Sequence, residues 1–154
     1  MPPWCTSQVI ARTKRPTSDA RNRFLRDRDT METHVTDWER CRPWIEAALP
    51  YTGGTHTIQD IEAELRCGQL ALIAGEKSAM LCEIRNYPRL RALHIFLAGG
   101  DLTELKSFNA IVDSAACVTG CTRITLAGRP GWQRALKEFG YEPKWTVLSK
   151  EISE

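Results

Sequence analysis

LRALHIFLAGGDLTELKSFNAIVDSAACVTG, residues 90–120, decides how the chain folds. Leu90 to Leu97 is a run rich in apolar and aromatic side chains that ends at Gly99-Gly100, and it reads as a strand bounded by a turn. The period then changes. Leu102, Leu105, Phe108, Val112 and Ala115 recur at three- and four-residue spacings, which predicts one buried helical stripe running to Gly120. Asp101 followed three residues later by Glu104 has the form of a capping box, so this helix, the longest expected, starts directly at the glycine pair.

Working backward, Gln69 to Ala74 and Ala79 to Arg85 also read as strands, separated by Gly75-Glu76-Lys77 and by Asn86-Tyr87-Pro88. With Leu90 to Leu97 they form an antiparallel meander. Before them, Trp38, Cys41, Trp44, Ile45 and Leu49 mark an amphipathic helix from Thr36 that Pro50 stops, and Gly53-Gly54 makes a loop. Thr57 with Asp60 caps a second helix carrying Ile58, Ile61 and Leu65 on one face, and Gly68 closes it. Working forward, Thr122 to Leu126 is a short β-branched strand. Pro130 suits the first turn of a helix reaching Phe139, and Trp145 to Leu148 is expected as a final strand. The predicted order is α, α, β, β, β, α, β, α, β, a mixed α/β fold.

The chain of 154 residues, 42% of them apolar, suits one domain with a genuine core. The net charge of +2 offers no case for membrane or nucleic-acid affinity across the whole protein. No apolar run approaches the roughly 20 residues that a membrane span needs, and the N-terminus lacks a signal-type apolar core, so a cytoplasmic protein is expected. The six cysteines form no CxxC pair and the three histidines are scattered, so no metal site is expected. Free thiols are expected instead, with Cys5 the candidate for a bond between chains.

Residues 1–32 differ from the remainder. They contain three prolines, little apolar periodicity, and seven basic residues against four acidic ones, the composition of an extended polar arm that cannot build its own core. The alternation Arg26-Asp27-Arg28-Asp29 argues for a solvated stretch and against a nucleic-acid arm. The domain proper is expected over 33–154. An arm of this kind becomes ordered by docking, and Trp4, Cys5, Arg12, Arg23 and Arg26 are its candidate contacts. Arg129 and Trp132, in the dense run Gly128-Arg129-Pro130-Gly131-Trp132-Gln133-Arg134, are candidates for recognition because Arg and Trp dominate interface hot spots. A turn with Trp132 packed in the core is the alternative.

The element order, together with Gly120-Cys121-Thr122-Arg123-Ile124-Thr125-Leu126 and Ala135-Leu136-Lys137-Glu138-Phe139-Gly140-Tyr141, resembles the GNAT acetyltransferase superfamily over about three quarters of the chain, without a clear first strand. The resemblance implies a GNAT-like mixed sheet with flanking helices. It also implies a pyrophosphate-binding loop for acetyl-CoA at Ala98, Gly99, Gly100 and Asp101, where the family carries Arg/Gln-x-x-Gly-x-Gly/Ala.

Two departures bear on activity. Phe96 stands where the family has a cationic or amide side chain, and Asp101 stands where it has a small one. A carboxylate at the N-cap is expected to take the helix N–H groups itself and repel phosphate. Leu136 stands where many members have a proton-donating tyrosine, and leucine transfers no proton. Glu83 and His94 are the candidate bases if the protein is an enzyme, with ordinary structural roles as the alternative.

The Gly128–Arg134 run, Leu97 to Leu102 and Trp38 to Leu49 also resemble GNAT-like proteins encoded among tailed-bacteriophage structural genes. The expectation is therefore a non-catalytic component of a phage particle. It would dock on other subunits or on copies of itself through the arm, bind no cofactor, and pass from host cytoplasm to virion. The alternative is an active acetyl-CoA-dependent N-acetyltransferase in a bacterial cytoplasm.

Overall fold

The computed structural model describes residues 28–152, with side chains from residue 37 onward. The chain divides into two units, Met1–Thr36 and Asp37–Glu154, and the sheet, the core and the groove described below all belong to the second. Trp4, Cys5, Arg12, Arg23 and Arg26, with the contacts expected of them, lie outside the described residues.

The order is α1 (Arg28–Ala48), a 3-10 turn (Leu49–Thr52), α2 (Ile58–Cys67), β1 (Leu70–Ala74), β2 (Ser78–Asn86), β3 (Arg91–Gly100), α3 (Leu102–Ser107), α4 (Asn109–Val118), β4 (Arg123–Leu126), α5 (Gly131–Ala135) and a second 3-10 turn (Lys137–Phe139). Helix α1 begins inside the stretch read as an arm, so residues 28–32 are helical and not extended. None of the helices among the described residues is long and apolar enough to cross a membrane.

Local chemistry explains why α2 sits where the sequence places it. Thr57 Oγ1 accepts from Asp60 N at 3.3 Å while Asp60 Oδ2 accepts from Thr57 N at 2.8 Å, which satisfies two donors that the helix itself cannot. Hydrogen bonds donated by Thr57 N and then by the Thr57 hydroxyl hold the Asp60 carboxyl below its ordinary range. Gly68, at φ 78°, ends the helix in the left-handed region.

The four strands lie in the order β1-β2-β3-β4, antiparallel except for the parallel β3–β4 pair, which α3 and α4 connect. Alternation along β2 and β3 gives the sheet two apolar faces. Ala79, Leu81 and Leu97 pack under α1 and α2 with Cys41, Ile45 and Ile61. Met80, Cys82, Leu93 and Ile95 pack against Leu105 of α3, Val112 and Ala116 of α4, and Phe108 between the two helices. Leu81 pairs with Leu97 but Cys82 pairs with Ile95, so Phe96 is the extra residue of a β-bulge.

Three elements depart from the sequence reading. The single helix expected from Asp101 to Gly120 breaks at Phe108. There Ser107 Oγ donates to the Glu104 carbonyl at 2.5 Å, and Phe108 N turns to Leu105 O at 3.2 Å. The apolar stripe stays in phase across this break, which is why periodicity conceals it. The helix expected from Pro130 to Phe139 is a five-residue α5 followed by the 3-10 turn that Gly140 terminates at φ 85°. Trp145 to Leu148 forms no strand, and Trp145, Val147 and Leu148 are 67%, 76% and 91% exposed. Alternating side chains give a segment strand character, but without a ladder partner they do not make a strand.

Candidate functional site

The parallel ladder between β3 and β4 runs only from Ala92–Arg123 to Ile95–Leu126. Beyond it β3 continues to Gly100 on β2, while the other chain leaves through Ala127-Gly128-Arg129-Pro130 into α5. The bulge at Phe96 falls at this parting. A groove opens between the diverging segments, with a cavity of about 320 Å³ whose walls include Met80, Ile95, Leu97, Val112, Leu126 and Leu136. A second cavity of about 600 Å³ shares Ala48, Tyr51, Ala98, Leu105, Arg129 and Trp132 with the first and extends past Gly99, Gly100 and Leu102. The lining is mostly apolar, with Tyr51, Asn109, Arg129 and Tyr141 among its few polar side chains, the ordinary composition of a small-molecule cleft.

Ala98, Gly99 and Gly100 border the second cavity, and other parts of the protein lie close against the two glycines. A Cβ on Gly99 would collide with the Trp44 carbonyl oxygen, and one on Gly100 would collide with Lys77 O and Ser78. Protein backbone therefore fills the space these glycines leave, and Gly100 at φ 107° adopts a conformation costly for any other residue. Asp101 caps α3 by accepting from Glu104 N at 2.9 Å, while its own N–H donates to Lys77 O at 3.0 Å. Asp101 lines neither cavity, so its carboxylate serves its own helix without filling the groove. The capping box is half formed. Glu104 turns its side chain away to accept from Glu76 N and Lys77 N, each at 2.9 Å, and from the Ser78 hydroxyl.

Glu83 and His94 face each other across β2 and β3, and the ladder brings Thr125 of β4 alongside. His94 is 6% exposed and its Nδ1 lies 2.8 Å from Thr125 Oγ1. Burial, and then the Arg85 charge, push its pKa down to about 4 against the opposing pull of Glu83. The ring is neutral at physiological pH and a weak base. Glu83 is engaged by Arg85, with Oε1 at 2.7 Å from Nη2 and 2.8 Å from Nε. The structure thus brings the two candidate bases together, but neither lines the groove.

Trp132 stands in the groove wall and packs with the α3–α4 core. Its indole leaves no room for a side chain at Gly128, whose Cβ would meet Cδ1 at 2.7 Å. Arg129 stands at the rim, its guanidinium stacked 4.1 Å from the Tyr51 ring centre, with Nη1 donating to Tyr51 Oη at 3.1 Å.

Sequence reasoning overlooked Tyr141, which lines the groove together with Leu136. Burial, with smaller contributions from Asp113 and Cys82, raises its pKa to about 12, so the phenol keeps its proton throughout the neutral range. The signal was visible, since Tyr141 closes the Ala135–Tyr141 run that carries part of the family resemblance. Cys82, also buried, is pushed up to about 12 by desolvation and offers no reactive thiolate.

No protein-family model matches the chain, and no curated protein matches it. Solved structures do. The aminoglycoside N-acetyltransferase AAC(6')-Iy, in complex with CoA, aligns at a TM-score of 0.57 with 17% identity over 79% of this chain and 90% of that one. TTHA1254 from Thermus thermophilus aligns at 0.53 with 16% identity over 76% and 91%. A predicted acetyltransferase with acetyl-CoA from Clostridium acetobutylicum aligns at 0.50 with 15% identity over 59% and 71%. At such identities the likeness establishes the fold: the chain has a GNAT-like α/β fold, a mixed four-stranded sheet with flanking helices. The resemblance to phage particle proteins gains no support from these likenesses.

Proposed function

We propose that the groove between β3 and β4 takes acetyl-CoA and that the protein is an acetyl-CoA-dependent N-acetyltransferase. One observation carries this reading: a groove stays open where β3 and the segment after β4 part. The residues suit such a ligand. An apolar channel flanked by strand backbone fits a flexible amide-bearing arm, and Tyr141 contributes a protonated phenol to its wall. When bound, acetyl-CoA supplies the thioester that carries the acetyl group. Tyr141 Oη holds a proton available to a departing sulfur, the task that Leu136 cannot perform. Because His94 is a weak base and Glu83 is engaged by Arg85, an amine substrate that arrives already neutral is favoured over one needing a strong base.

Titration calorimetry with acetyl-CoA tests the proposal. One site per chain is expected, and it should vanish in Ala98→Trp, which fills both cavities with an indole while circular dichroism stays unchanged. An absence of heat from the wild type at millimolar ligand would end this reading.

A second reading, a non-catalytic subunit of a larger assembly such as a phage particle, has one observation in its favour. Trp145, Val147, Leu148 and Ile152 form an exposed apolar segment, 67% to 91% accessible, of the kind that marks protein contact sites. Light scattering decides it. A strict monomer whose solution behaviour is the same in Trp145→Ser gives no support to an assembly built through this segment.

A further inference from the structure

Two observations about charge around the groove lead away from the glycine loop. Helix α3 has only six residues, and its N-cap Asp101 accepts from Glu104 N through its carboxylate and from Leu105 N through its carbonyl, while Asp101 N donates to Lys77 O. The space beside Gly99 holds the Trp44 carbonyl oxygen, whose partial negative charge disfavours an anion. A phosphate is therefore poorly served on this side.

The opposite rim is different. Arg129 lines both cavities, and among the described residues it pairs with no carboxylate. Among the described residues its one side-chain hydrogen bond goes to Tyr51 Oη, and the Tyr51 ring supports the face of the guanidinium. Stacking orients the planar fork and leaves most of its five N–H donors unused, a geometry matched to phosphate oxygens. The ligand that suits such a groove has an apolar or amide-bearing arm for the depth and an anion at the mouth.

We propose that Arg129, oriented by Tyr51, binds the pyrophosphate of acyl-CoA from the β4–α5 side and replaces the glycine loop in that task. The inference rests on the acetyltransferase reading above and adds the residue that recognises the ligand's charge.

The experiment compares CoA, dephospho-CoA and pantetheine on the wild type, Arg129→Gln and Arg129→Lys by calorimetry. Dephospho-CoA keeps the pyrophosphate and lacks the ribose phosphate, whereas pantetheine has no phosphate. Arg129→Gln is expected to weaken CoA and dephospho-CoA by the same factor, roughly tenfold or more, and to leave pantetheine unchanged. Arg129→Lys, which keeps the charge without the fork, is expected to recover part of the loss. Equal affinity of wild type and Arg129→Gln for CoA overturns the assignment, as does an equal loss for pantetheine, a loss absent with dephospho-CoA, or no recovery with lysine. A wild type that binds no CoA at all is a separate result, seen before any variant is measured, and it withdraws the acetyltransferase reading together with this one.

Discussion

The two halves of β3 differ in what lies beside them. From Ala92 to Ile95 the strand has β2 on one side and β4 on the other, and all four residues are buried. From Phe96 to Gly100 it keeps β2 but loses β4, and most of its residues are only partly buried. The first half holds His94 in a dry environment that suppresses its charge, and the second half forms one wall of a groove. The bulge at Phe96 separates them. Because a bulge adds one residue without breaking the ladder to β2, β3 can stay fastened to the core while it diverges from its other neighbour. The comparison teaches that the cleft is made by withdrawing one partner strand, with the rest of the sheet kept intact.

If β2 is what fastens both halves, Leu81 should matter most, since its fully buried side chain sits under α1 and α2 at the bulge. Leu81→Ala is expected to cost about 4 kcal/mol in urea unfolding. A cost below about 1 kcal/mol would show that the bulge is not anchored there.

The dry half should reveal itself in acid. His94 has a pKa of about 4 when folded against 6.5 for a free histidine, so the unfolded chain binds the proton first. Stability should be level above pH 6.5 and fall as the pH drops toward 4, by about 3 kcal/mol at full extent. In His94→Gln that slope should flatten, and an unchanged slope would mean that His94 is already charged in the fold.

The open half should reveal itself in turnover. On the proposed acetyltransferase reading, Tyr141→Phe is expected to slow acetyl transfer roughly a hundredfold while acetyl-CoA still binds, because only the proton-bearing group is removed. Undiminished turnover would exclude the phenol from the chemistry.

The smallest effects set the two rims of the groove against each other. Gly99→Ala drives a methyl into the Trp44 carbonyl and should cost about 2 kcal/mol, since backbone cannot step aside cheaply. Gly131→Ala meets nothing within 4 Å at the opposite rim. It should stabilise by less than about 1 kcal/mol through the unfolded chain. Equal thermal shifts for the two would contradict the packing described at Gly99.

Most of the scaffold was legible in the sequence because its signals are local. The capping pair Thr57 and Asp60, the closing Gly68 and the turns at Gly75 and Pro88 each act within a few residues, so α2 and the meander appear where the pattern puts them. The break at Phe108 was not legible, because it arises from a hydroxyl competing for one carbonyl inside an unbroken apolar stripe. The strand expected at Trp145 to Leu148 failed for the opposite reason, since strand character is local but pairing is not.

The groove was the least legible part. Met80 comes from β2, Val112 from α4, and Leu136 and Tyr141 from the segment after α5, and each looks like an ordinary core residue until the fold brings them together. The Gly99-Gly100 pair attracted attention as a loop for a ligand, whereas the structure uses its missing side chains to admit Trp44, Lys77 and Ser78.

Glu104 has a mechanical consequence. Its carboxylate, kept below the usual range by the Ser78 hydroxyl and then by the Lys77 and Glu76 N–H groups, ties α3 to the β1–β2 turn through three donors. Any swing of α3 away from the sheet has to break all three together. Widening of the cleft to admit or release a bulky guest therefore falls to the opposite bank, where α5 is short and begins at an unobstructed glycine, and where the Lys106–Glu138 pair and the Arg129–Tyr51 contact are the ties to be released.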